Sequence, residues 1–229
     1  GRDRRADQLV NKDLPDHSIG HFARCSRRPR PTLGAYLTVG KRVVSATIGS
    51  GVPRKMRKIL FLDIDGVLNN QDFFDQQRLN DETYLLNVVN AHKMIDPKNI
   101  FALNELLEMS DAYVVISSDW RRHFKRVEIL DSLGKSGFAF PQRVIGMTPV
   151  KFSHVDRAGE IMLWLDDNGR DVDGFAVVDD NHIGFHPSPA IDRMVKTEFC
   201  QGLLDEHVPL LLEKMKMPYV HDEETDEEN

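Results

Sequence analysis

Short apolar runs, each closed by a polar residue, punctuate the chain from Lys58 onward. Lys58-Ile-Leu-Phe-Leu-Asp63, Ala112–Ile116 before Ser117-Ser118, and Gly174–Val178 before Asp179-Asp180 read as buried parallel strands. Such strands are continuously apolar because both of their faces are covered. Val144–Met147 reads as a short third strand in chain order, and Arg193–Lys196 as a fifth. Between the strands the period lengthens to that of helices. Residues 80–95 read as a helix, with Asn80 or Asp81 as its cap and Leu85, Leu86 and Val89 on the inner face. Asp96-Pro97 opens a clearer one, Asp at the N-cap and Pro at the first helical position, with Ile100, Leu103, Leu106 and Leu107 on one face. Trp120, Phe124, Val127, Leu130 and Leu133 form a third stripe. Gly159–Asp167, with Ile161, Trp164 and Leu165, is stopped by Asn168-Gly169, and Leu203–Met215 is a last amphipathic helix. The order β-α-α-β-α-β-α-β-β-α predicts an α/β fold: an open, mainly parallel sheet of about five strands with helices on both faces.

The 229 residues divide by charge into two unlike parts. Residues 1–55 carry twelve Lys and Arg against four Asp, a net +8, while the remainder carries a net −14. The first part has no sustained apolar period, and Arg27-Arg-Pro-Arg-Pro31 cannot lie inside a regular element because its prolines lack the backbone donor. It reads as a disordered extension, or as sequence upstream of a start at Met56; a basic arm gripping nucleic-acid phosphates is the alternative. The expected organisation is therefore an extension over 1–55, a domain over 56–217 and an acidic, disordered tail over 218–229, where residues 221–229 hold six acids. No stretch has the roughly 18 apolar residues of a membrane helix, and no apolar signal segment is present. Two cysteines, Cys25 and Cys200, exclude a disulfide framework and fit a reducing cytoplasm.

Ligands of open α/β sheets bind beyond the carboxyl ends of the strands. That rule gathers Asp63, Asp65, Ser117, Ser118, Asp179 and Asp180 at one edge. Carboxylates this close repel one another, and a hard cation held by oxygen alone, Mg²⁺ rather than zinc, relieves the repulsion.

Four segments together resemble the haloacid dehalogenase (HAD) superfamily in its phosphatase form. Ile59-Leu-Phe-Leu-Asp63-Ile-Asp65-Gly66-Val-Leu-Asn69 is similar to its first motif, and Val114-Val-Ile-Ser117-Ser118 to its second. Arg157-Ala-Gly-Glu160-Ile161 is similar to the third, and Phe175-Ala-Val-Val-Asp179-Asp180 to the fourth. Ser117-Ser-Asp-Trp120-Arg121, Gly159-Glu-Ile-Met-Leu-Trp164-Leu165, Val195-Lys-Thr197 and Gly202-Leu203 resemble more closely the HAD domain of Swiss-Army-knife RNA repair proteins. The likeness spans roughly residues 57–216. It implies a Rossmannoid three-layer sandwich and Mg²⁺-dependent phosphoryl transfer through an aspartyl-phosphate on Asp63. Asp65 is then the general acid and base, and Ser117 and Arg157 hold the phosphate. Asp63, the backbone carbonyl of Asp65, Asp179 and Asp180 hold the metal. The third motif more often carries Lys, and Lys151 is a rival to Arg157; Ser118 is a rival to Ser117.

The gaps at 70–110 and 134–156 are too short for an inserted cap domain, so the resemblance implies an open, capless site and a bulky substrate such as a polynucleotide end or a phosphoprotein, with the 3′-phosphate or 2′,3′-cyclic-derived end of an RNA expected. Arg121, Arg122, Lys125 and Arg126 are expected either at the rim of such a site, receiving a nucleic-acid backbone, or on a solvated helix face. Trp120 reads as core, with base stacking the alternative. A nucleotide or small phosphomonoester is the alternative substrate, and a non-catalytic module that binds phosphate ends is the rival from another class. Protein partners are not legible.

Overall fold

The computed structural model describes residues 55–80, 91–150, 157–181 and 188–221. The basic segment, the acidic end and Lys151 lie outside the described residues, as does most of the helix expected over 80–95.

Five strands form one parallel sheet: β1 (Arg57–Leu62), β2 (Tyr113–Ile116), β3 (Val144–Met147), β4 (Val172–Asp179) and β5 (Met194–Lys196), in the order β3-β2-β1-β4-β5. β1 lies at the centre because it is apolar on both faces: Ile59, Leu60, Phe61 and Leu62 are fully buried. The twofold alternation of side chains splits them between two layers. Leu60 and Leu62 join Val114, Ile116 and Val178 beneath α2 (Pro97–Ser110), α4 (Arg126–Lys135) and α7 (His207–Met215). Ile59 and Phe61 join Val115, Phe175 and Val177 beneath α5 (Arg157–Asn168) and α6 (Pro189–Asp192). The result is a three-layer α/β sandwich.

α2 forms as its sequence dictates. Asp96 Oδ1 accepts from the Lys98 amide at 2.9 Å, Pro97 opens the first turn, and Ile100, Leu103, Leu106 and Leu107 are buried. Two other expectations need correction. The helix after β1 is α1 (Gln71–Asn80), so Asn80 lies in a helix instead of capping one, and Ala91–Met94 is a single 3₁₀ turn. The cap is Asn70, whose Oδ1 accepts from the Phe73 amide at 2.8 Å. The stripe from Trp120 to Leu133 is likewise broken into α3 (Trp120–His123) and α4. Phe124 is extended, and Glu128 reaches back to the Lys125 amide at 2.6 Å, starting a second helix and leaving Val127 exposed.

A buried carboxamide ties the turn after β1 to the rest. Asn99 donates to the carbonyls of Gln201 (2.9 Å) and Leu203 (2.7 Å) and accepts from Asn70 Nδ2 (2.8 Å), which also bonds Asp96. Asn99→Leu keeps the branched side-chain shape and deprives these partners of their hydrogen bonds at a buried position. It should cost about 2 kcal/mol or more, read as a lower denaturation midpoint in urea at unchanged slope.

Candidate active site

Strand register builds the site. Leu62 pairs with Ile116 and with Val178, and Ile116 pairs with Met147. The next residues, Thr148, Ser117, Asp63 and Asp179, therefore form a row across four strand ends. Backbone bonds continue the ladder through them: Asp63 N to Val178 O (3.1 Å), Ser117 N to Leu62 O (2.8 Å) and Thr148 N to Ile116 O (2.9 Å). All four are buried.

Oxygens of Asp63, Asp179 and Asp180 lie within 4.8 Å of one another. Asp180 comes this close because Gly66 turns with φ +70° and has no side chain: a Cβ there would stand 2.5 Å from Asp180 Cγ. Thr197 fastens the same turn, donating from Oγ1 to the Gly66 carbonyl at 2.7 Å while its amide bonds Asp179 O at 3.1 Å. The crowding raises proton affinities. Burial, then the Asp63 charge, hold Asp179 well above the usual carboxylate range and push Asp180 up to about 6. The same two causes raise Asp65. Closely set oxygens that bind protons too well, with no nitrogen or sulfur among them, fit a hard divalent cation, which removes the repulsion the protons otherwise relieve.

Arg157, at the start of α5, is the counter-charge. Its Nη1 is 3.2 Å from Asp63 Oδ1 and 3.6 Å from Asp179 Oδ2, and it donates to the Ser117 carbonyl. Burial works against its charge, but Asp63, Asp179 and Asp119 outweigh it and hold the guanidinium protonated more firmly than usual.

Between the two candidate hydroxyls the structure discriminates. Ser118 Oγ accepts from the Trp120 amide at 3.3 Å, whereas Ser117 Oγ is buried with no partner among the described residues. Thr148 Oγ1, one strand further along, is equally buried and without a partner among the described residues. Sequence reasoning passed over Thr148, although it follows β3 as Ser117 follows β2.

Arg121 is not at a rim. Its side chain is 1% exposed, paired with Glu160 (2% exposed) and donating to the Ser118 carbonyl. Arg122 bonds Asp119 at 3.0 Å and Glu160 at 3.3 Å, and Arg126 bonds the Val144 carbonyl. Arg121 and Arg122 brace the loop after β2 against α5, whereas Lys125 and Arg126 are exposed. Trp120 is core, 6% exposed, and its indole donates to Asp65 Oδ1 at 2.9 Å, a partnership 55 residues apart that no local pattern signals.

With this geometry in view, the comparisons with known proteins are specific. Residues 59–208 match the family model of the HAD domain in Swiss Army Knife RNA repair proteins, and the chain belongs to that family. No curated protein and no solved structure matches it.

Two outcomes follow from the charges. Asp180 holds its proton more tightly folded than unfolded, so the metal-free fold loses stability as pH rises from about 3.8 through about 6. A divalent cation needs the ionised carboxylates. Its addition should therefore raise the melting temperature more at pH 7.5 than at pH 5, and Asp180→Asn should shrink that difference. Glu160→Gln leaves Arg121 buried without its anion and should cost about 3 kcal/mol or more in chemical denaturation.

Proposed function

We propose that the protein is a Mg²⁺-dependent phosphatase that hydrolyses a terminal phosphomonoester through an aspartyl-phosphate, with the 3′-phosphate end of an RNA as substrate. The observation that carries this reading is the register-built row at the sheet edge: Asp63 beside Asp179 and Asp180, a buried hydroxyl on Ser117, and Arg157 spanning them. Membership of a family named for RNA repair proteins supports the substrate class.

Asp63 is the nucleophile. Its Oδ1 accepts from the Ile64 amide at 2.7 Å and faces Arg157, which fixes the carboxylate's orientation for attack on phosphorus. As that P–O bond forms, the bond to the leaving oxygen breaks, and Asp65 supplies the proton. Water then attacks the acyl-phosphate, Asp65 takes the water's proton, and Asp63 is released. The raised proton affinity of Asp65 suits a group that must be protonated in the first step. Ser117 Oγ and the Arg157 guanidinium hold phosphoryl oxygens, the anion replacing the carboxylates as one of the arginine's partners. Asp63, the Asp65 carbonyl, Asp179 and Asp180 would hold Mg²⁺, which when bound offsets phosphoryl charge and orients the group.

The described residues between β1 and β2 are occupied by α1 and by α2, and α2 is part of the core, which supports a site without a cap. The inward-turned Arg121 favours the alternative of a nucleotide or other small ester, since it spends its charge on the Ser118 carbonyl and Glu160, while the exposed Lys125 and Arg126 favour a nucleic-acid backbone. Phosphate release from 3′-phosphorylated RNA, 5′-nucleotides and p-nitrophenyl phosphate, with Mg²⁺ or with EDTA, separates the two. Release should be fastest from the RNA end, vanish in EDTA and vanish in Asp63→Asn, while Asp65→Asn should lose about 10²–10⁴-fold. Release from small esters alone would shift the substrate. No release from any would bring forward a module that binds phosphate ends without turnover.

A further inference from the structure

Two N–H donors converge on one oxygen of Asp65. Trp120 Nε1 stands 2.9 Å from Oδ1, and Asn69 Nδ2 stands 2.7 Å from the same atom. Neither can reverse its role. An indole nitrogen only donates. The Asn69 carboxamide is fixed by its other end, where Oδ1 accepts from the Gly66 amide at 2.9 Å and so turns the NH₂ group toward Asp65. A hydroxyl on Asp65 Oδ1 would confront two donors with no acceptor, and Oδ2 carries no hydrogen bond among the described residues.

We propose that Trp120 and Asn69 are positioning residues that commit Oδ1 of Asp65 to accepting hydrogen bonds and confine its transferable proton to Oδ2. The inference rests on the reading of Asp65 as general acid and base. In the first step the leaving oxygen parts from phosphorus as Asp63 bonds to it, and takes the proton from Oδ2. In the second, water bonds to phosphorus as the Asp63 ester oxygen departs, and its proton returns to Oδ2. One oxygen thus serves both steps. A carboxyl free to spin about its Cβ–Cγ bond would present the bare oxygen to the leaving group in a large share of encounters. The clamp is held from two directions: Asn69 belongs to the turn after β1, and Trp120 opens α3 after β2, its ring packed on Phe124 at 5.2 Å between centroids.

The competing account is that a buried indole needs some acceptor and Asp65 merely supplies one. Trp120→Phe keeps the ring and deletes the donor. Single-turnover alcohol release with Mg²⁺ separates the accounts, because p-nitrophenolate leaves with little protonation whereas a sugar alkoxide requires it. The expected result is a loss of about ten-fold or more on the sugar ester, a markedly smaller loss on p-nitrophenyl phosphate, and an unchanged KM. In an Asp65→Asn background the added Trp120→Phe change should cost nothing further. Equal losses on both esters, or an undiminished loss in that background, would overturn the proposal. Wild-type turnover with an unaffected Trp120→Phe variant defeats this inference alone, whereas a wild type that hydrolyses no ester defeats the phosphatase reading with it. Should Trp120→Phe fail to fold, the indole N–H resonance of Trp120 decides: it should move on Asp65→Asn in the intact chain, and a stationary resonance would refute the clamp.

Discussion

Hydrogen-bond register between β1 and β4 sets two acidic side chains against each other at the centre of a parallel sheet, and the surrounding structure is organised around that conflict. Leu62 pairs with Val178, so Asp63 and Asp179 follow as neighbours, and Asp180 is drawn in across Gly66. Two such charges about 5 Å apart repel by roughly 3 kcal/mol at an effective dielectric constant near 20. The chain cannot relieve this by sliding. A one-residue slip would turn Leu60 and Leu62 out of one core layer and Ile59 and Phe61 out of the other. The apolar strand thus enforces the polar cluster, and the remedy has to come from outside the sheet. Arg157 is the remedy within the chain; a divalent cation is the stronger one that the oxygen set fits.

The same logic explains why so much positive charge near the site faces inward. Arg157 holds the Ser117 carbonyl and Arg121 holds the Ser118 carbonyl, so two successive peptide units of the loop after β2 are braced by two arginines. Arg121 is in turn anchored by Glu160, one turn along α5 from Arg157. A planar fork with several donors can bind a carboxylate and a carbonyl together, which an ammonium does less well. Arg157 therefore belongs to a set of arginines that fix the loop's shape as well as its charge. Thr197 does for the Gly66 turn what these arginines do for the Ser117 loop, with one hydroxyl and one amide.

β1, β2 and β4 were legible because each holds an apolar run closed by Asp or Ser, and the alternation of strands with helices gave the parallel sheet. α2 was legible because cap, proline and stripe agree. α1 was not: Gln71–Asn80 is polar along most of its length, and its start is set by Asn70, a residue engaged equally with Asp96 and Asn99. The break after His123 was hidden because Trp120 and Phe124 continue an apolar spacing that Ile129 and Leu133 resume, while the signal that ends it is the single Glu128 contact. At the site, the acids and Ser117 could be placed from strand ends alone. Arg121 could not, since arginine next to a motif reads as surface and its partner Glu160 lies 39 residues away. Contacts between distant residues leave no period in a sequence.

On the proposed function, this division of labour bears on what the site recognises. The charge of −14 after residue 55 opposes a polyanion, and Arg121 and Arg122, beside the site, are bonded to Glu160. Attraction is then concentrated where carboxylates, Arg157 and a bound cation meet a phosphate, at the strand ends. A terminal phosphate carries two ionisable oxygens and exposes them without a second ester in the way, whereas an internal phosphodiester carries one ionisable oxygen and a second ester. A preference for ends over backbone therefore arises from electrostatics before any base is contacted. The buried hydroxyls of Ser117 and Thr148 sharpen it, because among the described residues each lacks a partner, which an arriving oxygen can supply.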